Sequence, residues 1–422
     1  MEVKPGYKQS EVGVIPEEWD ICDLQGVCQE PITYGIVQCG PHQAGGVPYI
    51  RVSDMDGPEL DPNRMLRTSP LIAEQFSRST VKEGDLVYAL RGQLGEVRQV
   101  RAEVAGANLT QGTARLSPGE KVLSSYLLWA MRDPRSIRQA ETQAKGTTFR
   151  EITLENLRRI NILVPPISEQ HTIATALGDM DALLDGLDRL IAKKRAIKQA
   201  AMQQLLTGQT RLPGFSGEWE VKRLGDHLTF LKNGVNSRAE LSYSEDVRYL
   251  HYGDIHGSSR VELNPANVEM PCLPRAKASR LDRLQNGDLI FADASEDMDG
   301  VGKSVEIQNA AGIELVSGLH TIAIRLDKSV LADGFKAYIQ FIPKFRAHLR
   351  QLAAGTKVYA TNRTHIASAE LRLPGIDEQQ AISALLTDMD AEITALEARR
   401  TKTRALKQAM MQELLTGRTR LV

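Results

Sequence analysis

The sequence predicts an α+β chain: two α+β domains separated by two long helices that pair as an antiparallel coiled coil, in a pseudo-twofold internal repeat. Three observations predict it. Val164–Leu212 matches Leu373–Leu421 without a gap at a constant offset of 209, with about half the positions identical. Apolar residues in both copies recur at alternating spacings of four and three, the period of a coiled-coil seam. Short β-type runs bounded by Gly, Asp and Pro fill the regions between.

The helices come first in the argument. Ile167-Ser168-Glu169-Gln170 returns as Ile376-Asp377-Glu378-Gln379, and Leu205-Leu206-Thr207-Gly208 returns as Leu414-Leu415-Thr416-Gly417. Pro165-Pro166 and Pro374 stop the preceding strand, and Ser168 and Asp377 are expected N-caps with an acidic residue beside them. The seam is Ile173, Leu177, Met180, Leu184, Leu187 and Ile191 in the first copy. In the second it is Ile382, Leu386, Met389, Ile393 and Leu396. Basic residues interrupt each seam, which resumes in a shifted phase at Ile197, Ala201 and Leu205 and at Leu406, Met410 and Leu414. Gly208 and Gly417 stand where a C-cap glycine belongs. A break near Gly178 is expected to split off a short first helix. A lone apolar seam cannot stay in water, and its partner is its own copy, antiparallel by the symmetry of the repeat. At about 1.5 Å per residue such a rod reaches ~60 Å.

The expected divisions are residues 1–163, 164–212, 213–372 and 373–422. The two globular regions are diverged copies. Tyr49–Asp54 answers to Tyr249–Asp254, and Gly84–Tyr88 to Gly287–Phe291. Strands are expected at 81–90, 112–116, 289–292 and 320–326, and helices at 124–132 and 334–352. The helices are nearly alike while the domain interiors diverge. That contrast predicts a shared task for the helices and a private one for each domain.

Bulk properties narrow the class. Net charge is −1, so any nucleic-acid surface must be local. Four cysteines without a CxxC pair imply neither zinc site nor disulfide framework, and a reducing, cytoplasmic setting is expected. No run is apolar enough to span a bilayer, and Met1–Gln9 lacks a signal-peptide core.

No catalytic constellation holds. Gly302-Lys303-Ser304 resembles the end of a phosphate-binding loop, but Asp297 stands where the pattern needs glycine. There is no base-flipping methyltransferase motif and no GxSxG elbow. His251, His256, His320 and His365 all fall in the second domain without metal-ligand spacing, so no metal is expected.

What remains is a binding surface in the loops. In the first domain it comprises Tyr34, Gln38, Arg91, Gln93, Asn108, Gln111, Lys145, Thr147 and Arg150. In the second it comprises Lys232, Asn233, Asn236, Arg238, Lys303, His320, Lys357, Tyr359, Asn362 and Arg363. Arg, Lys, Asn and Gln are the side chains that read base edges, and hydroxyls and cations hold phosphates.

At these residues the chain resembles a known family, the specificity subunits of Type I restriction–modification enzymes. The resemblance is carried by Gly13–Trp19, by Pro165–Gln170 and Leu205–Gly208, and by the duplicated order of domain and spacer. Gly375 departs from the pattern by replacing the second proline in the second copy. The resemblance implies two target recognition domains, each reading one half of a bipartite site in double-stranded DNA. It implies that the helices set the gap and dock two methyltransferase subunits, joined by a motor and nuclease subunit. It implies no catalysis and no cofactor in this chain, with S-adenosylmethionine bound by the methyltransferase. Two alternatives stay open: a coiled-coil adaptor bridging two protein-binding modules, and the specificity subunit of a fused Type II-like enzyme.

Overall fold

A computed structural model describes residues 4–92, 94–146, 150–355 and 358–421. The chain forms two compact units, Met1–Asp188 with Ala398–Val422, and Arg189–Glu397. Each contains one globular domain and part of both long helices. Those helices run without interruption over Ile167–Leu205 and Ile376–Leu414.

In the first unit a four-stranded antiparallel sheet runs in the order 33–34, 113–116, 86–89, 97–99. A three-stranded sheet places 47–50 antiparallel to 66–68 and parallel to 108–109. Asp20–Asp23 pairs with Asn161–Val164, so the strand entering the domain lies beside the strand leaving it. The second unit repeats this plan. Its main sheet runs 228–230, 321–326, 289–292, 304–307, 262–263, and its small sheet runs 272–273, 247–250, 315–317. Glu220–Arg223 pairs with Glu370–Leu373 at the neck. The strands at 86–89 and 289–292 are buried along their whole length, as continuous apolar runs require.

The start of each long helix is fastened to its own domain by one glutamine. Gln170 accepts a hydrogen bond from the Leu123 N–H (2.8 Å) and donates to the carbonyls of Lys121 (2.9 Å) and Pro165 (2.8 Å). Gln379 does the same with Ala332, Val330 and Pro374, each at 2.9 Å. Both side chains are fully buried, so these bonds satisfy groups that water cannot reach. Glu169 accepts from the Trp19 indole N–H (2.9 Å) and from Arg420 (2.6 Å). Glu378 instead takes a two-pronged pair from Arg211. The Trp219 indole N–H finds no partner among the described residues.

Helix pairing within each unit is antiparallel. In the first, Asp181 meets Lys407 and Asp188 meets Arg400. In the second, Lys198 meets Asp390 and Arg195 meets Glu397. The Lys198–Asp390 pair is the Lys407–Asp181 pair with both members displaced by 209. Even the ring beneath the lysine repeats: Lys407 lies 4.6 Å from the centre of the Trp129 ring and Lys198 5.8 Å from that of Tyr338. Gly208 and Gly417 close the two helices at φ of 71° and 72°, a left-handed turn that favours glycine. A Cβ on Gly417 would lie 2.5 Å from Pro16.

The structure corrects several expectations about the helices. No break occurs at Gly178, because buried Ile173, Leu177, Leu184 and Leu187 on either side hold the helix to its neighbours. Ser168 and Asp377 lie inside the first turn rather than at the cap, since Gln170 and Gln379 already bond back to Pro166 and Gly375. Ile173 and Leu177 join the core of the first domain, and Ile382 and Leu386 that of the second. The first two seam positions therefore anchor each helix to its domain. Leu184, Leu187, Ile191 and Ile393 are buried further along, while Met180, Met389 and Leu396 are half-buried. In the shifted phase Leu205 and Leu414 are buried, but Ile197 and Leu406 are exposed. The expected helix over 334–352 is a 3₁₀ stretch, Lys336–Phe341, and a helix, Pro343–Leu352, because Pro343 offers no N–H to continue the first.

One buried carboxyl ties a strand of the second domain to the segment at 334–337. Glu306, on the strand 304–307, is fully buried and accepts from the N–H groups of Gly334 (2.6 Å) and Ala337 (2.8 Å). Burial pushes it up to about 7, against the pull of those two bonds and of Lys336.

Two predictions follow from this packing. Trp19→Phe leaves Glu169 one donor short and a small void beside it, and should cost about 2 kcal/mol in urea unfolding of the chain. A carboxyl raised in the folded state stabilises it at low pH and loses that contribution as pH rises from about 4.5 through about 7. Glu306→Gln should therefore flatten the fall in thermal stability across that window; an unchanged slope would assign it to other groups.

Candidate nucleic-acid interface

In the first unit six of the predicted loop residues gather near the ends of the strands 86–89 and 113–116. The Gly92 N–H donates to the Arg150 carbonyl (3.1 Å), and Lys145 and Glu151 exchange two main-chain bonds (2.9 and 3.0 Å). The Gln111 N–H donates to the Ile36 carbonyl (3.0 Å), which brings the Tyr34–Gln38 loop alongside. Gly35 permits that approach, because a Cβ there would lie 1.9 Å from the Leu109 carbonyl oxygen. Tyr34, Gln38, Arg91, Gln111, Lys145 and Arg150 are all exposed. Arg91 stands 3.6 Å from Glu151 and Arg150 2.9 Å from Glu141, half-exposed pairs that water and salt weaken and a phosphate could replace.

Asn108 does not belong to this surface. It is fully buried, bonded to Ser79 and donating to the carbonyls of Ala73 (3.2 Å) and Phe76 (3.3 Å). A polar residue in a strand-and-turn pattern reads as a loop residue until the tertiary partners of its amide are known. Gln93, Thr147 and Lys357 lie outside the described residues.

The second unit gathers its residues around the turn at 318–320, which links strands of its two sheets. Asn233 donates to the Gly318 carbonyl (3.4 Å). Arg363 donates to the Leu231 carbonyl (3.0 Å) and to Asn233 (3.3 Å), 5.3 Å from the centre of the Phe230 ring. Asn362 caps the short helix Arg363–Ala367. Tyr359 sits in a two-residue strand paired with Ala294–Ser295. Exposed Lys232 adjoins the group through its N–H bond to Asp282 (2.7 Å). Asn236 is tied in through its carbonyl, which accepts from the Tyr249 hydroxyl (3.1 Å), and Arg238 pairs with Asp254 (3.1 Å). His320 meets Asp293 at 3.1 Å.

Lys303 behaves differently. Its ammonium donates to the His256 carbonyl (2.6 Å), and burial lowers its pKa. That amine braces a loop. Tyr252 and Asp293, which sequence reading did not single out, lie among these residues; the pairing of Tyr249–Asp254 with Tyr49–Asp54 was the signal available. Among the described residues no group of His, Cys, Asp and Glu is disposed to hold a metal ion, and no helix is long and apolar enough to cross a membrane.

Comparison with known proteins places this architecture. Residues 16–196 match the family described as Type I restriction modification DNA specificity domain. The EcoBI specificity subunit of Escherichia coli is 27% identical over 232 residues, 54% of this chain and 47% of that protein. The putative MjaX specificity subunit of Methanocaldococcus jannaschii is 22% identical across 98% of this chain and 97% of its own. Among solved structures, the HsdS subunit from Thermoanaerobacter tengcongensis shares the fold with a TM-score of 0.53 at 16% identity, over 96% of this chain and 98% of that one. The S subunit from M. genitalium gives 0.56 at 12% identity, over 98% of each chain. The fold is that of these solved S subunits, residues 16–196 are similar to the Type I DNA specificity domain, and the chain spans about half the length of the EcoBI subunit that it matches.

Asn108→Ala should lower the stability of the first domain by about 1–3 kcal/mol, since it strands buried groups. In a salt titration of DNA binding its slope should equal that of the parent protein, whereas loss of a phosphate contact lowers the slope by about one.

Proposed function

We propose that this chain reads a bipartite site in double-stranded DNA, one half with each domain. The internal repeat carries the reading. The fastening of helix to domain and the lysine–aspartate pair between the helices recur at an offset of 209, while the loops beside the equivalent strands carry different side chains. A conserved frame holding unlike loops suits two unlike half-sites. The chain itself performs no chemistry in this reading. Two methyltransferase subunits dock on the long helices, bind S-adenosylmethionine and modify an adenine in each half, and a motor and nuclease subunit completes the restriction enzyme.

The test is selection of bound sequences from random duplex DNA by the full chain in complex with its methyltransferase. Two short motifs at a fixed gap support the proposal. Salt-insensitive capture without a motif overturns it in favour of an adaptor. In this reading the helices set the gap. Deleting seven residues from the middle of each long helix removes about 10 Å of rise. The preferred gap should shorten by about three base pairs, with both half-sites unchanged.

A further inference from the structure

The main sheets of the two domains share a register. Ala89 lies opposite Thr113 in the first domain, and Ala292 opposite Thr321 in the second. Each threonine hydroxyl donates three residues back, to the carbonyls of Thr110 (3.3 Å) and Gly318 (2.6 Å). One residue earlier, the Gly112 carbonyl accepts from the Leu90 N–H (2.9 Å) and the His320 carbonyl from the Asp293 N–H (3.1 Å). The neighbouring turn repeats too: Asp54 accepts from the Arg51 N–H (2.9 Å) and Asp254 from the His251 N–H (3.0 Å). The residue after each of these is Val52 or Tyr252. A Cβ on Gly112 would meet Val52 at 3.3 Å, and the ring of His320 meets that of Tyr252 edge-on with centroids 5.5 Å apart. The main-chain hydrogen bonds are therefore shared, but Gly112, Leu90 and Val52 are exchanged for His320, Asp293 and Tyr252, and His320 takes a positive φ that Gly112 does not.

Three features of this exchange have no structural necessity. The first is conformational: His320 sits at φ 57°, a region that costs a non-glycine residue energy and that glycine would occupy freely. The second is exposure, since the His320 side chain is 52% accessible and its burial does not offset that cost. The third is orientation. The Asp293 carboxylate can only accept, so Nδ1 of His320 carries the proton in their 3.1 Å bond. Nε2 has no hydrogen-bond partner among the described residues and is available to an external one. Tyr252 is itself packed between His251 (4.5 Å) and His256 (6.2 Å), and the His256 ring nitrogen Nε2 lies 2.7 Å from the Ala294 carbonyl. The tyrosine backs the His320 ring and restricts its swing.

We propose that His320 is a specificity-determining residue of the second half-site, hydrogen-bonding a base edge through Nε2, with Asp293 and Tyr252 as its positioning residues. The inference rests on the DNA-reading function proposed above. It explains why strain is retained at an exposed turn: an imidazole fixed by its far nitrogen loses little freedom when it meets a base.

The decisive variant is His320→Gly. It relieves the left-handed backbone at 320, places there the residue type that the first domain has at 112, and should fold at least as well as the parent. In the same selection from random DNA by the methyltransferase complex, His320→Gly should weaken preference at one base pair of one half-site by on the order of tenfold. Every other position and the salt slope should be unchanged. Asp293→Asn should relax the same base pair. Retention of the full motif by His320→Gly overturns the inference, as does an equal loss across all sequences, which would make His320 a phosphate contact. A parent complex that selects no motif overturns the underlying function and this assignment with it.

Discussion

The structure depends on how each long helix is joined to the domain before it. A helix of this length with a narrow apolar stripe has little stability of its own in water, and its direction would be free at the strand that precedes it. Gln170 and Gln379 remove that freedom. Each side chain uses its donor and acceptor on main-chain groups of the domain and of the Pro165 or Pro374 junction. Because these bonds are buried, breaking one strands a polar group, and the geometry is strongly held. The adjacent acid then ties in the polypeptide that follows the other helix: Arg420 to Glu169 in one unit and Arg211 to Glu378 in the other.

From that joint the remaining order follows. Fixing the helix start brings Ile173 and Leu177, or Ile382 and Leu386, into a domain core. The next turns are then presented to the antiparallel partner, where Lys407 and Lys198 meet Asp181 and Asp390 over an aromatic ring. A partly screened ion pair contributes little energy, but it penalises a slip of register that would leave a half-buried lysine unpaired. The domains bear no such constraint beyond their strands and neck. Their loops can change while the frame stands, and the contrast between Gly112 and His320 is one outcome.

Much of this was legible in the sequence. The offset of 209 exposed the repeat, and the period of four and three exposed the helices, because both are statements about spacing that survive any tertiary context. Glycine at 208 and 417 was legible for a similar reason: a left-handed turn has few alternatives. The site was less so. Lys303 and Asn108 look like surface polar residues in the chain, yet one amine is spent on a carbonyl and one amide is sealed in a core. Nothing local distinguishes them from Arg150 or Gln111, since the deciding partners lie tens of residues away. Tyr252 was hidden in the opposite way, within a β-type anchor whose side-chain directions only the turn after the strand reveals.

The sequence by itself determined the plan: two copies, their order, the long helices, and a pairing that follows from an unshielded apolar stripe. Those properties are local or periodic, and the hydrophobic effect and backbone sterics enforce them wherever the chain runs. Only the tertiary structure decided which seam residues anchor a domain and which face a helix, which polar residues are braces, and which loops share a surface. These depend on distances between residues far apart in the chain, and the one-dimensional pattern does not contain them.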